Sequence, residues 1–373
     1  MRIGFDAKRA FSNYTGLGNY SRDTIRILSE NFSSNQYFLY TPKEKNNSRL
    51  NFIKESKNIF IRTPKRIFGK IFHSLWRSKT IVRDLFQNKI DIFHGLSHEI
   101  PLSIEKTNIK SIVTIHDLIY IRYPNLFSKI DRKIYDIKFR SACHRSNRII
   151  AVSEQTKKDI IQYFKIDSNK ISVVYQGCSL VFQKEKSIKE INDCINKYHL
   201  PDNYLLYVGS IEERKNLLTL LKVMTDMPNE FLVVIGDGKI YKKKCLEFIK
   251  KNNLEKRIII LSNLDLDTMA CIYKKANIMI YPSIFEGFGI PIIEALFSKT
   301  PVITSKGGCF SEAGGEHSIY IDPLSSEQIK EAIIEIKGNK KLRENMIEKG
   351  FDYAQKFTDE KVAENIMNAY NLV

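Results

Sequence analysis

Short apolar runs recur along the chain, separated by longer stretches in which apolar residues return at every third or fourth position. The runs at 2–5, 37–40, 59–62, 90–94, 111–116, 148–152 and 171–174 are of strand length and rich in Ile, Val, Phe and Tyr. A second series follows at 204–209, 231–235, 258–261, 278–281, 301–304 and 319–321. Such alternation predicts parallel sheets joined by crossover helices. The charged stretch from 181 to 195 has no strand character, so the pattern divides into two Rossmann-like halves, 1–180 and 200–352. The remainder, 353–373, contains FTDEKVAENIMNAYNLV, an amphipathic helix with Thr358 or Asp359 as its cap. In open α/β sheets ligands bind beyond the carboxyl ends of strands, so a site built from both halves is expected in the cleft between them.

Composition narrows this picture. A chain of 373 residues suits two domains of about 150 to 200 residues each. No apolar run approaches the 18 or so residues that span a bilayer, and the opening MRIGFDAKR reads as a strand, not a signal peptide, which gives a cytoplasmic address. Cys143, Cys178, Cys194, Cys245, Cys271 and Cys309 form no CxxC pair, so they read as reduced packing residues, with neither a zinc site nor a disulfide framework. Residues 1–180 carry 32 Lys and Arg against 15 Asp and Glu, whereas 181–373 carry 27 against 27, so the whole net charge of +17 sits in the first half. One-sided basicity points to an anionic partner: nucleic acid, an acidic polymer, or the inner face of a membrane. A Lys-, Asn- and Ile-rich composition accounts for the number of lysines but not for their asymmetry.

The most informative string is YPSIFEGFGIPIIEAL at 281–296. Glu286 and Glu294 stand on either side of a turn containing Gly287 and Gly289, and a helix is expected to start near Pro291. Glycines let the backbone approach a ligand, and the helix start favours an anion, while the carboxylates accept hydrogen bonds from hydroxyls. A nucleotide sugar has both features. The plainer alternative is one capping and one solvated carboxylate. In YVGSIEERKNL at 207–217, a strand ends at Gly209 and a loop presents Arg214 and Lys215, which suit a diphosphate. Cations at a helix start are slightly unfavourable otherwise. Gly16-Leu17-Gly18 precedes a helical pattern after the first strand. VTIHDL at 113–118 puts His116 and Asp117 at a strand end, where a histidine serves either as a structural hydrogen-bonder or as a ligand contact. Ser153 reads as a helix cap.

These strings resemble the family 4 retaining glycosyltransferases, enzymes of the two-domain GT-B fold. The resemblance rests on the E-x7-E spacing, on G-x-x-x-x-R-K-N at 209–216, on His116, on S-x-x-T-K-x-D at 153–159 and on IDPLSSEQI at 321–329, in the family order. It implies that Glu286 meets the donor sugar, that Glu294 binds the ribose, and that Gly209 and the backbone of Gly287, Phe288, Gly289 and Ile290 face the sugar and phosphates. Arg214 and Lys215 would hold the leaving diphosphate, the Gly16 and Gly18 loop would reach the diphosphate and acceptor, and His116 would contact the donor sugar, with Asp117 on the acceptor side. The last helix would cross back to the first domain. Metal and cofactor are not called for, and no Asp-x-Asp stretch suitable for a divalent ion stands at a strand end. The wording of ERKNL and VYQGC is most similar to the bacterial polysaccharide mannosyltransferase branch, which implies GDP-mannose as donor, a UDP-sugar being the alternative, and a polyprenyl-diphosphate-linked saccharide as acceptor in O-antigen or capsule synthesis. Gln176 and Asn263 depart from the family's Asn and Gly.

Between Pro64 and Phe86, apolar Ile67, Phe68, Ile71, Phe72, Leu75, Val82 and Phe86 recur at helical spacing among Lys65, Arg66, Lys70, Arg77, Lys79 and Arg83, with Trp76 inside. This segment either packs in the first core or lies on an anionic membrane. Two further readings remain: an epimerase or phosphorylase built on the same fold, and a nucleic-acid-binding protein using the basic half, although nucleic acid is not the expected partner.

Overall fold

The computed structural model describes residues 1–45, 48–64 and 73–373. The chain forms two compact units, the first made of Met1–Gln176 with Asp359–Val373 and the second of Gly177–Thr358. In the first, seven strands pair in parallel: β1 (Arg2–Asp6), β2 (Gln36–Tyr40), β3 (Ile59–Arg62), β4 (Ile92–Gly95), β5 (Lys110–Ile115), β6 (Arg148–Ala151) and β7 (Ile171–Val173), ordered β3-β2-β1-β4-β5-β6-β7. The second holds β8 (Leu205–Val208), β9 (Leu232–Ile235), β10 (Ile258–Leu261), β11 (Ile278–Tyr281), β12 (Val302–Ser305) and β13 (Ile319–Ile321), ordered β10-β9-β8-β11-β12-β13. Each sheet reverses its direction of growth beside its first strand, next to β4 in one and β11 in the other, and such switch points open a crevice at the strands' carboxyl ends. The apolar runs read from the sequence all form strands, with ends shifted by one or two residues.

Both faces of each sheet are covered, which is why the strands read as nearly continuous apolar runs instead of alternating ones. In the first sheet Ile3, Phe5, Tyr37 and Leu39 face one core, shared with Ile25 and Leu28 of α1 (Gly16–Asn31). Phe38, Tyr40, Phe93 and Val113 face the other. The helices that matter below are α2 (Lys129–Arg145), α3 (Leu266–Lys275), α4 (Ile290–Phe297) and α5 (Asp359–Asn371).

The boundaries fall elsewhere than the sequence pattern placed them. Residues 181–195 join the second unit as helices, Ile188–Lys197 opening on a Ser187/Glu190 capping box. The return to the first unit comes at Asp359 rather than 353, because Tyr353 and Phe357 pack on each other at 5.7 Å and Phe357 packs on Phe288 at the same distance. α5 then buries Val362, Ile366, Met367 and Tyr370 in the first core. A polar chain runs through that core: the Tyr370 hydroxyl lies 2.7 Å from Nδ1 of His94, Nε2 of His94 lies 2.8 Å from Oγ1 of Thr114, and the Tyr20 hydroxyl lies 3.0 Å from the same oxygen. Burial pushes His94 down to about 3, so the ring is neutral and joins the chain as one donor and one acceptor.

Of the basic segment at 64–86, Lys65, Arg66, Ile67, Phe68, Lys70, Ile71 and Phe72 lie outside the described residues. In the rest, one π-helical turn (Trp76–Thr80) leads into helix Ile81–Gln87. Trp76 is buried, its indole donating to Oδ2 of Asp84 at 2.7 Å, and Ile81 and Leu85 are buried with it. That portion packs in the core, leaving Phe86 exposed.

Candidate active site

In the second unit β8 and β11 are neighbours at the switch point, and the segments leaving their carboxyl ends meet. After β8 a 3-10 turn (Glu213–Lys215) carries Arg214 and Lys215, and after β11 come Ser283 and Glu286. Four donors converge on a single carboxylate oxygen. Oε1 of Glu286 lies 2.5 Å from Nζ of Lys215 and 2.8 Å from Nη1 of Arg214, and it accepts from the Ser283 hydroxyl at 2.5 Å and the Tyr281 hydroxyl at 3.0 Å. Nζ of Lys215 also donates to the Tyr281 hydroxyl at 2.6 Å, and Nη1 of Arg214 to the Phe285 carbonyl at 2.5 Å. The two cations are therefore not a solvated pair; Lys215 is buried and Arg214 largely so.

Burial pushes the Glu286 carboxyl up, but Lys215 and Arg214, with Ser283, outweigh it and hold the group at about 2. Glu286 is thus ionised at every physiological pH and is a feeble proton acceptor. Burial, with Arg214 close by, keeps the Lys215 ammonium below its ordinary value even though Glu286 opposes that shift. Arg214 also pairs with the exposed Glu212, Nη2 to Oε1 at 3.3 Å, so the two cations face two carboxylates, one buried and one in solvent.

The turn beyond Glu286 is fixed from below. The buried Cys309 thiol donates to the carbonyls of Glu286 at 3.2 Å and Phe288 at 3.0 Å. Gly289 caps α4 with φ of +116°, a conformation that a side chain would strain. Ile290 and Pro291 open the helix, and one turn on, Glu294 accepts from the buried Tyr273 hydroxyl of α3 at 2.8 Å. Gly209 follows β8 beside the stem of Lys215, and the Ile211 amide donates to the Asp237 carbonyl at 2.7 Å, bringing the Gly236–Asp237–Gly238 loop beneath it. Glu286, Gly287, Phe288, Gly289, Ile290, Glu294, Gly209, Arg214 and Lys215 thus form one group within the second unit.

The remaining predicted residues lie in the first unit. Gly16 and Gly18 do not precede the helix but form its first turn, because α1 begins at Gly16. A Cβ on Gly18 would stand 1.9 Å from the Asn13 carbonyl oxygen, so only glycine admits the folded-back loop before it. Buried Arg22 holds that loop by donating to the carbonyls of Ala10 at 2.8 Å and Asn13 at 2.7 Å. His116, just past β5, has both ring nitrogens engaged: Nε2 donates to the Leu96 carbonyl at 2.9 Å and Nδ1 accepts from Gln176 at 3.1 Å. Burial lowers it to about 4, so the ring is a neutral group. Asp117 accepts from the Ile119 amide at 3.1 Å, just ahead of a short helix, Ile119–Arg122. Ser153 caps its helix by accepting from the Thr156 amide.

Residues 15–181 match the family described as Glycosyltransferase Family 4, and residues 189–353 match Glycosyl transferases group 1. The chain belongs to the family 4 glycosyltransferases. It is 24% identical to O-antigen chain mannosyltransferase B of Escherichia coli over an alignment covering all of both chains. It is 29% identical to the O-antigen chain mannosyltransferase RfbU of Salmonella typhimurium over 63% of this chain and 62% of that one. Its fold matches the crystal structure of Anabaena HepE in complex with UDP, at 14% identity and a TM-score of 0.78 over the whole of both chains.

Sequence reasoning missed several residues of this glycosyltransferase's site. Tyr281 and Ser283 stand inside the string that was singled out, but a tyrosine ending an apolar strand reads as core, and nothing in the spacing shows its hydroxyl bridging Lys215 and Glu286. Tyr273 and Cys309 lie in other elements and have no local signal. Gln176, noted as a departure from the family pattern, is the partner of His116. Among the described residues no group of three or more His, Cys, Asp and Glu side chains is placed to hold a metal ion.

Proposed function

We propose that this glycosyltransferase moves a mannosyl group from GDP-mannose to a saccharide on a polyprenyl diphosphate carrier, with retention of configuration and without a divalent metal, in the assembly of a bacterial surface polysaccharide. The observation that carries the reading is the convergence of two adjacent cations, Arg214 and Lys215, on one buried, ionised carboxylate at the carboxyl ends of β8 and β11. The names of the similar O-antigen enzymes support the sugar and the pathway.

In this reading the cations offset charge growing on the leaving diphosphate, work that elsewhere falls to a metal. Glu286 holds the two cations through Oε1 and faces the transferred sugar, and Glu294, set by Tyr273, takes the ribose hydroxyls. The low value of Glu286 and the neutral His116 leave neither suited to deprotonate a sugar hydroxyl at neutral pH, so the diphosphate oxygen takes the acceptor proton on the face from which it departs. That geometry retains the anomeric configuration. The enzyme would work in the cytoplasm at the inner membrane face, its basic first unit toward anionic lipid, which suits a lipid-carried acceptor.

The test is a panel of GDP-mannose, UDP-glucose, UDP-galactose and other nucleotide sugars, with nucleoside diphosphate release measured with and without a chelator. GDP release from GDP-mannose, insensitive to chelator, is expected. Release of UDP alone would move the donor to a UDP-sugar, and no release or binding with any donor would overturn the reading.

A further inference from the structure

The outer face of α2 is apolar and is left uncovered by the described residues. Ile130, Ile134 and Ile137 are 73%, 43% and 60% exposed, and their i, i+4, i+7 spacing aligns them in a single stripe. Leu126, also exposed, stands just before the helix. Single exposed aliphatics are ordinary, but an aligned row of branched ones in water is not. The opposite face does the packing: Ala142 and Cys143 are buried, Phe139 stacks on His98 at 4.1 Å, and Tyr135 meets Tyr120 edge-on at 5.9 Å. The isoleucines are therefore not needed by the core.

Cations border the stripe. At about 100° per residue, Lys133 falls on one side of it and Lys138 on the other, with Lys129 in the first turn, whereas Arg145 is taken up by Glu105 at 3.1 Å and the Pro101 carbonyl at 2.8 Å. The acids on the helix are engaged locally, Asp131 by the Ser128 hydroxyl at 2.7 Å and Asp136 by Arg140 at 3.1 Å. Lys138 is also 3.1 Å from Glu99, which pairs with Arg77, and Arg77 reaches Asp6 at the carboxyl end of β1 at 3.4 Å. The helix is thus tied to the strand ends that border the first unit's crevice.

We infer that α2 is the face by which this protein docks on an anionic lipid surface, the isoleucines entering the interfacial layer and the lysines lying against headgroup phosphates. An aliphatic stripe edged with lysine fits such a layer, whereas protein interfaces favour aromatic residues and are depleted of lysine. The excess positive charge of the first 180 residues has the sign this partner requires. The inference takes its purpose from the lipid-carried acceptor proposed above, but its test needs neither donor nor acceptor.

The test is co-sedimentation of the full chain with vesicles of phosphatidylcholine alone or with added phosphatidylglycerol. The protein should sediment with the anionic vesicles, and the combined change Ile130→Ser, Ile134→Ser and Ile137→Ser should weaken partitioning roughly tenfold or more with an unchanged melting curve. A separate Lys129→Gln, Lys133→Gln variant, which leaves the stripe intact, should lose much of the preference for anionic over neutral vesicles. Absence of binding to anionic vesicles, or full binding by both variants, would overturn the inference. So would a dimer in sedimentation velocity that the serine variant dissolves, since the stripe would then be covered by a second copy. Loss of vesicle binding in the variants while no lipid-linked saccharide is glycosylated would sustain the docking face and sink the acceptor.

Discussion

Nζ of Lys215 and Oε1 of Glu286 lie 2.5 Å apart, and the same oxygen takes Arg214 at 2.8 Å, so a single carboxylate fixes two cations that arrive from another strand end. Replacing Lys215 with Ala removes half the positive charge facing the leaving group and leaves Glu286 less well compensated. We expect kcat to fall by roughly 10² to 10³, the scale of losing one charge-stabilising donor. Steady-state kinetics with the donor identified by the panel would check this, and an unchanged kcat would remove Lys215 from the reaction.

Glu286 also makes stability depend on pH. Its folded value of about 2 lies below the ordinary 4.5, so its contribution is fully present above about 4.5 and is lost as pH falls toward 2. The full shift corresponds to about 3 kcal/mol. Denaturant unfolding of the wild type and of Glu286→Gln should show a stability gap that narrows by roughly 2 kcal/mol between pH 6 and pH 3. A gap independent of pH would show that the cations do not set the charge of Glu286.

Tyr273 donates to Glu294 at 2.8 Å from a neighbouring helix. In Tyr273→Phe the carboxylate keeps its charge but loses an orienting hydrogen bond worth about 1 kcal/mol. The donor KM should rise roughly fivefold with kcat nearly unchanged, as for a residue that positions the ribose contact. A fall in kcat at constant KM would place Glu294 nearer the chemistry.

Tyr370→Phe tests the return of the last helix. Nδ1 of His94, fully buried, would lose its only side-chain partner on α5, at a cost of about 1–3 kcal/mol. The melting temperature should drop by several degrees, on the order of 2–4 °C per kcal/mol for a unit of this size. Calorimetry would locate the loss in one of two transitions if the units melt separately.

The sequence by itself determined the sheets, because strands buried on both faces must be apolar along their whole length, and that signal is local. It likewise marked Glu286, Glu294, Arg214 and Lys215, since charged residues beside glycine turns at strand ends conflict with ordinary packing. Yet it placed the Gly16 and Gly18 turn before α1 when both lie within it, for the Asn13 carbonyl that demands Gly18 comes close only once the loop has folded back. Only the tertiary structure decided that Arg214 and Lys215 are held by Glu286, that Tyr281, Ser283, Tyr273 and Cys309 support the two carboxylates, and that His116 spends both ring nitrogens on internal partners. The bonds of Lys215 to Tyr281, Tyr273 to Glu294 and Gln176 to His116 span 66, 21 and 60 positions along the chain, and contacts over such spans leave no periodicity to read. The contacts of Arg214 and Lys215 with Tyr281 and Glu286 exist because parallel β8 and β11, distant in sequence, lie side by side and end together.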